Sequence, residues 1–167
     1  VTWGVSEGDL HKVVAAYRTY YESEGLWDYS LYDGIKNVIE ELADAGWRIG
    51  IATLKPERFA HLIAEHAGFQ ELLTTVAGAG SDNSEENKAD VIRIALNRMG
   101  SHPGETTMIG DRQHDAEGAQ ITGCSFIGVT WGFGTATEMR TFGAKIFADR
   151  TDQIMELLKA TPRSILN

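Results

Sequence analysis

The sequence holds a single cysteine, Cys124, in 167 residues. One thiol cannot close an internal disulfide, which excludes a disulfide-stapled scaffold and fits a reducing compartment. Cys124 leads into the apolar run Phe126, Ile127 and Val129, so it is expected to be a buried small hydrophobe rather than a nucleophile. Basic residues are also scarce: 15 Lys and Arg stand against 24 Asp and Glu, a formal net charge of −9. That balance argues against nucleic acid and anionic membrane as partners, since both are polyanions. No apolar run approaches the ~18 residues of a membrane span. No basic segment followed by an apolar one opens the sequence, and the protein is expected to be cytoplasmic. An anionic small substrate remains open to it, given a locally positive site built from lysines, helix N-termini or a metal ion.

What is present is a hydrophobic content of 43%, enough for one globular domain with a sizeable core. Val13, Val14, Tyr17, Tyr20 and Tyr21 recur at helical spacing, and Gly25 ends that helix. Ile35, Val38, Ile39 and Leu42 mark a second helix. From there strands and helices alternate. Strands are expected over residues 49–53, 72–77, 106–110, 125–130 and 144–148. Helices are expected from Pro56 through His66, over 89–99, 115–122 and 137–142, and from Asp152 to Leu158. A polar loop is expected over 78–87. Such alternation implies an α/β fold, a doubly wound parallel sheet with helices on both faces. Residues 1–30 stand outside it as an all-helical appendage, leaving 31–167 as the core. Ligands of doubly wound sheets bind at the carboxyl ends of the strands.

Three strand-end segments carry candidate chemistry. Gly110-Asp111-Arg112-Gln113-His114-Asp115 follows a strand and opens a helix. Asp111 stands at the strand's end, and Asp115 lies one turn into the helix on the side facing back to it. Two converging carboxylates suit Mg²⁺, which takes a few carboxylates plus waters and phosphate oxygens. The plain alternative is that both merely serve the helix N-terminus, Asp111 as a cap and Asp115 through the dipole. Thr53 ends the first strand, with Lys55-Pro56 opening the next helix. A hydroxyl and backbone N–H groups there can cradle an anion, or form an ordinary cap. Lys88 begins the helix after the polar loop. A cation is electrostatically misplaced at a helix N-terminus, which suggests a nearby strand-end anion; a solvated surface lysine is the plain alternative.

Taken in order, Ala52-Thr53-Leu54-Lys55-Pro56, Asn87-Lys88-Ala89-Asp90 and Gly110-Asp111 through Asp115 resemble the second, third and fourth motifs of the haloacid-dehalogenase-like superfamily, in its phosphoglycolate phosphatase-like branch. Gly128-Val129-Thr130-Trp131-Gly132-Phe133-Gly134 is similar to a stretch usual in that branch. Leu31-Tyr32-Asp33-Gly34 resembles its return from a helical cap to the core, which makes 1–30 a partial cap.

The resemblance implies a Mg²⁺-dependent phosphatase acting on a small phosphorylated metabolite through an aspartyl-phosphate. It implies that Thr53, with Lys55, binds the phosphoryl group, that Lys88 neutralises it, and that Asp111 and Asp115 hold the metal. A phosphomutase shares the core. A non-catalytic phosphate-binding relative of a phosphatase is the alternative outside enzymes. A dehalogenase leaves the Asp111/Asp115 pair unexplained.

The family's first motif, an aspartate nucleophile two residues before a second aspartate, has no counterpart: Asp-x-Asp occurs nowhere in the sequence. Asp9 and Asp28 lie in the helical appendage with no apolar strand before them. The expectation is that the chain starts inside the cap and lacks the first core strand. That strand belongs between the strands at Ile49 and Thr106, whose edges would then be unpaired. The 167 residues alone are expected to be inactive.

Overall fold

The computed structural model describes residues 7–80 and 86–161, and the chain divides into two compact units, Val1–Ser30 and Leu31–Asn167. Of the expected polar loop, residues 81–85 lie outside the described part.

In the first unit a 3₁₀ turn, Glu7–Asp9, leads into helix α1, Leu10–Tyr20, which runs on as a π-type turn over Tyr21–Gly25. Tyr17 and Tyr21, one turn apart, stack with ring centroids 5.8 Å apart. Asp9 pairs with Lys12 at 2.9 Å.

The second unit alternates strands and helices: α2 Ile35–Asp44, β1 Gly50–Pro56, α3 Glu57–His66, β2 Thr75–Ala79, α4 Lys88–Met99, β3 Thr107–Gly110, α5 Gln113–Thr122, β4 Ser125–Val129, α6 Ala136–Thr141, β5 Ile146–Ala148 and α7 Ile154–Ala160. All pairings are parallel. Side-chain alternation along β4 shows the double winding. Ile127 and Val129 pack with Val38 and Leu42 of α2 and with Ile154 and Leu158 of α7. Phe126 turns the other way, onto Ala116 of α5 and Met139 of α6. The doubly wound α/β architecture expected from the sequence is the one observed.

Two boundaries differ from expectation by three residues. The apolar pair Leu72-Leu73 does not open β2. Buried Phe69 anchors a 3₁₀ turn, Gln70–Leu72, and the ladder begins only where Thr75 meets Gly50. β1 does not stop at Thr53 but runs to Pro56, with its register to β2 breaking between Ala52 and Pro56. The chain there crosses directly over Gly78, where an added Cβ would fall 2.3 Å from Glu57 Cα.

The sheet is in two pieces, β1-β2 and β3-β4-β5. β1 and β3 face a groove of about 820 Å³, lined by Ile49, Ile51, Met99, Thr107 and Ile109 among others. Central strands of a doubly wound sheet are normally buried on both faces. Here β1 and β3 are half-buried, whereas β2 and β4 carry runs of buried residues.

The outer edge of β2 is closed by side chains. Arg98 donates to the Val76 carbonyl at 2.8 Å, Glu57 Oε2 accepts from Gly78 N–H at 3.1 Å, and the two side chains pair at 2.9 Å. The pair thus satisfies two of the backbone groups that β2 would offer a further strand. Burial alone would raise the Glu57 pKa. The hydrogen bonds from Arg98 and Gly78 N–H, with the charges of Arg98 and His61, outweigh it and hold the carboxyl below its ordinary value. A depressed carboxyl pKa contributes stability that is present above the unfolded value, near pH 4.5, and lost as pH falls through the folded one. Replacing Glu57 with Gln is therefore expected to flatten the acid limb of a melting-temperature profile below that pH. An acid limb as steep as the parent's would remove Glu57 from the account.

Candidate active site

The carboxyl end of β3 turns into α5 through Gly110 and Asp111. Asp115, in the first turn of that helix, is 6% exposed. Its Oδ2 accepts from the N–H groups of Asp111 and Arg112, each at 3.1 Å. Asp115 thus caps its own helix by reaching back, as an acidic residue in a first turn can. Asp111 does not cap. Its Oδ2 accepts from Phe133 N–H at 2.7 Å, on the loop after β4.

Lys88 is brought to this point by α4. A reciprocal capping box starts that helix: Asn87 Oδ1 accepts from Asp90 N–H at 3.1 Å, and Asp90 Oδ2 accepts from Asn87 N–H at 3.2 Å. The cap fixes Lys88 as the first helical residue and is worth about 1 kcal/mol. Gly100, in the left-handed region at φ 58°, ends the helix. The Lys88 ammonium lies 2.7 Å from Asp115 Oδ1 and 2.8 Å from the Ala52 carbonyl. With side-chain exposures of 13% and 9%, the pair is largely withdrawn from water. Ala52 belongs to β1 and Asp115 follows β3, so one ammonium joins the two pieces of the sheet at their carboxyl ends.

Thr53 follows Ala52 in the irregular part of β1, and its Oγ1 accepts from Lys55 N–H at 3.2 Å. Helix α3 begins at Glu57, two residues after Lys55. Among the candidates, Lys88 and Asp115 are in contact, Asp111 is adjacent through the shared Asp115 Oδ2, and Thr53 lies next to the carbonyl that Lys88 holds. No side-chain contact joins Thr53 to Lys88 or Asp111 in the hydrogen bonds described. Asp9 is exposed and paired with Lys12, and Asp28 is exposed. Cys124 is half-buried rather than buried; burial raises its thiol pKa, against a smaller lowering by a hydrogen bond with Thr122. A raised pKa makes for a poor nucleophile.

Neither the Ala52 carbonyl nor the Phe133 N–H, both backbone groups, could be singled out from residue types. Three glycines were legible as letters but not as contacts. A Cβ on Gly110 would fall 2.5 Å from Asp115 Oδ2, one on Gly118 3.0 Å from Lys88 Cγ, and one on Gly132 2.3 Å from Asp111 Oδ2.

A family model described as haloacid dehalogenase-like hydrolase matches residues 4–129. The chain belongs to that family. A tyrosine-protein kinase PtkA of Mycobacterium tuberculosis is 38% identical over 125 residues, 75% of this chain and 43% of that protein. A 5′-nucleotidase of Pseudomonas aeruginosa is 35% identical over 139 residues, 83% of this chain and 63% of that protein. A phosphoglycolate phosphatase of Vibrio parahaemolyticus is 24% identical over 139 residues, 83% of this chain and 61% of that protein. The crystal structure of a predicted phosphatase from Clostridium acetobutylicum superposes with a TM-score of 0.86 at 30% identity, covering 95% of this chain and 74% of that one. The chain thus spans less than half the length of PtkA and under two thirds of the other two relatives. The phosphoglycolate phosphatase-like kinship expected from the motifs agrees with these relatives. No helix among the described residues is long and apolar enough to cross a membrane.

Proposed function

We propose that this chain forms most of a Mg²⁺-dependent phosphomonoesterase that acts on a small phosphorylated metabolite, of the phosphoglycolate or nucleoside monophosphate class. Lys88 carries the reading. A lysine is held between a strand-end carbonyl and a buried carboxylate at the mouth of a parallel sheet, which is where phosphoryl oxygens need neutralisation.

The donor set is consistent with Mg²⁺. Both Asp115 oxygens are engaged, by Lys88 and by two N–H groups. Asp111 commits only Oδ2 in the hydrogen bonds described, which leaves Oδ1. No group of three or more His, Cys, Asp or Glu side chains suited to a metal occurs among the described residues. Mg²⁺ commonly takes one or two carboxylates and completes its octahedron with waters and phosphate oxygens. In this reading Asp111 ligates directly and Asp115 acts through its hydrogen bonds. When bound, the metal would neutralise phosphoryl charge and orient the phosphoryl group.

The chain's own residues do the rest. Lys88 offsets charge on the phosphoryl oxygens, and the Thr53 hydroxyl and Lys55 bind them. The nucleophile would arrive on a strand seated in the groove between β1 and β3, with its aspartate at the carboxyl end. That carboxylate attacks phosphorus, the ester oxygen leaves with a proton from a neighbouring acid, and water hydrolyses the aspartyl-phosphate. Residues 1–30 would supply part of a cap. The test is a panel of phosphate monoesters presented, with Mg²⁺, to the 167-residue chain and to a chain extended at its N-terminus by a strand ending in Asp-x-Asp. Turnover is expected only from the extended chain. Clear Mg²⁺-dependent turnover by the 167 residues would place the nucleophile elsewhere, with Asp9 and Asp28 the first to test. An extended chain that folds and binds phosphate without turnover would favour a binding protein.

A further inference from the structure

The chemistry proposed above makes no use of the loop after β4, yet this loop is pressed onto Asp111. Phe133 N–H donates to Asp111 Oδ2 at 2.7 Å. A Cβ on Gly132 would fall 2.3 Å from Asp111 Cβ, 2.3 Å from Oδ2 and 2.5 Å from Cγ. A Cβ on Gly134 would fall 2.0 Å from the Asp111 carbonyl oxygen and 2.5 Å from Glu138 Oε1. Neither glycine has a positive φ, so the backbone conformation does not call for glycine at either position. What calls for it is space, and what fills that space is Asp111. The Phe133 side chain is 88% exposed, so this turn is not held down by burying its own aromatic ring. The contact that matters is made by the N–H.

We propose that the Gly132-Phe133-Gly134 turn is a mould that fixes the Asp111 carboxylate, and that Gly132 and Gly134 are positioning residues for the metal site. This rests on the reading of Asp111 as a Mg²⁺ ligand. An aspartate at a strand end can rotate about two side-chain bonds. The turn removes that freedom by the close approach of Gly132 to the side chain and by a short hydrogen bond to Oδ2. Oδ2 is thereby committed and Oδ1 presented in one direction. Mg²⁺ demands near-ideal octahedral geometry, so a preset carboxylate matters more to it than to a more tolerant cation. Glu138 holds the far side of the turn's neighbourhood. Its Oε1 accepts from Gln113 N–H at 3.4 Å and lies 3.5 Å from Arg112 Nε. The two residues after Asp111 are thus tied to α6, and the Asp111 main chain has little room to yield if the turn is thickened.

The experiment uses the 167-residue chain and amide NMR, with Mn²⁺ as a paramagnetic stand-in for Mg²⁺. In the parent, Mn²⁺ is expected to broaden the amides of Gly110, Asp111, Arg112 and Phe133 selectively. Gly132→Ala should need about 10–100-fold more Mn²⁺ for the same broadening, the loss usual when an outer partner of a metal ligand is disturbed. It should also displace the Phe133 amide while distant amides stay in place. Phe133→Ala keeps the N–H and both glycines and should respond as the parent does. If Gly132→Ala folds poorly, a melting cycle replaces it. Its loss in melting temperature should vanish in an Asp111→Gly background, because the three atoms nearest the new methyl all belong to the Asp111 side chain. An unchanged Mn²⁺ response in a folded Gly132→Ala, an equal loss in Phe133→Ala, or additive melting losses would each overturn the proposal. A parent chain with no selective broadening at Asp111 would overturn the metal reading first and the mould with it.

Discussion

A chain that carries the aspartate nucleophile is expected to lose Mg²⁺-dependent turnover by at least about 1,000-fold when Asp111 is replaced by Asn. The size follows from how the two carboxylates are engaged. Asp115 cannot stand in, because Oδ1 meets Lys88 at 2.7 Å and Oδ2 accepts two backbone N–H groups. Asp111 alone has an oxygen without a described partner. Asparagine keeps the shape and can still accept the Phe133 N–H through its carbonyl. It then turns its NH₂ toward the metal, where a donor repels a cation. Folding should therefore survive, with a melting temperature close to the parent's, while turnover and the Mg²⁺-dependent rise in melting temperature both disappear. Turnover within tenfold of the parent would remove Asp111 from the metal site.

The sheet and its helices were legible because their signals are local. Ile127, Val129 and Phe126 alternate within five residues, and Asn87 and Asp90 stand at capping-box spacing within four. The start of β2 was misjudged because Leu72 and Leu73 look like strand residues. Their place is decided by Phe69, whose burial pulls the chain into a turn first. At the site, the strand-to-helix placement of Asp111 and Asp115 was visible in their four-residue spacing. Which of them caps the helix was not. That depends on the Phe133 N–H, 22 residues further on, which draws Asp111 away and leaves the N–H groups to Asp115. Lys88 was singled out for its awkward charge at a helix start, but its Ala52 partner lies 36 residues back, on β1. Contacts of that separation leave no periodic trace in a single sequence. The groove between β1 and β3 falls where the family resemblance sets a further strand, and its two walls are the strands with the least burial.

Replacing Lys88 with Ala is expected to cost the 167-residue chain about 3 kcal/mol, because it leaves a buried carboxylate without its countercharge. At this chain length that corresponds to a fall of roughly 6–12 °C in melting temperature. Asp115 Oδ2 keeps its two N–H partners, so the helix cap survives, but Oδ1 is left bare at the end of the sheet. The Ala52 carbonyl loses its donor at the same time, and the tie between the two pieces of the sheet is cut. The loss should therefore be coupled to Asp115. In an Asp115→Asn background, where no charge needs compensation, Lys88→Ala should cost clearly less, a non-additivity of the kind double-mutant cycles resolve for residues in contact. In a chain that carries the nucleophile, the same substitution should also lower turnover by at least about 100-fold, the usual effect of removing one transition-state charge stabiliser. The two readouts separate the structural from the chemical role. A large melting loss with turnover intact at a temperature where the protein is folded would make Lys88 a strut of the sheet and leave the phosphoryl charge to other residues. A Lys88→Ala protein that melts within 2 °C of its parent would mean that water reaches Asp115 freely, and that the Lys88–Asp115 contact does not organise the site.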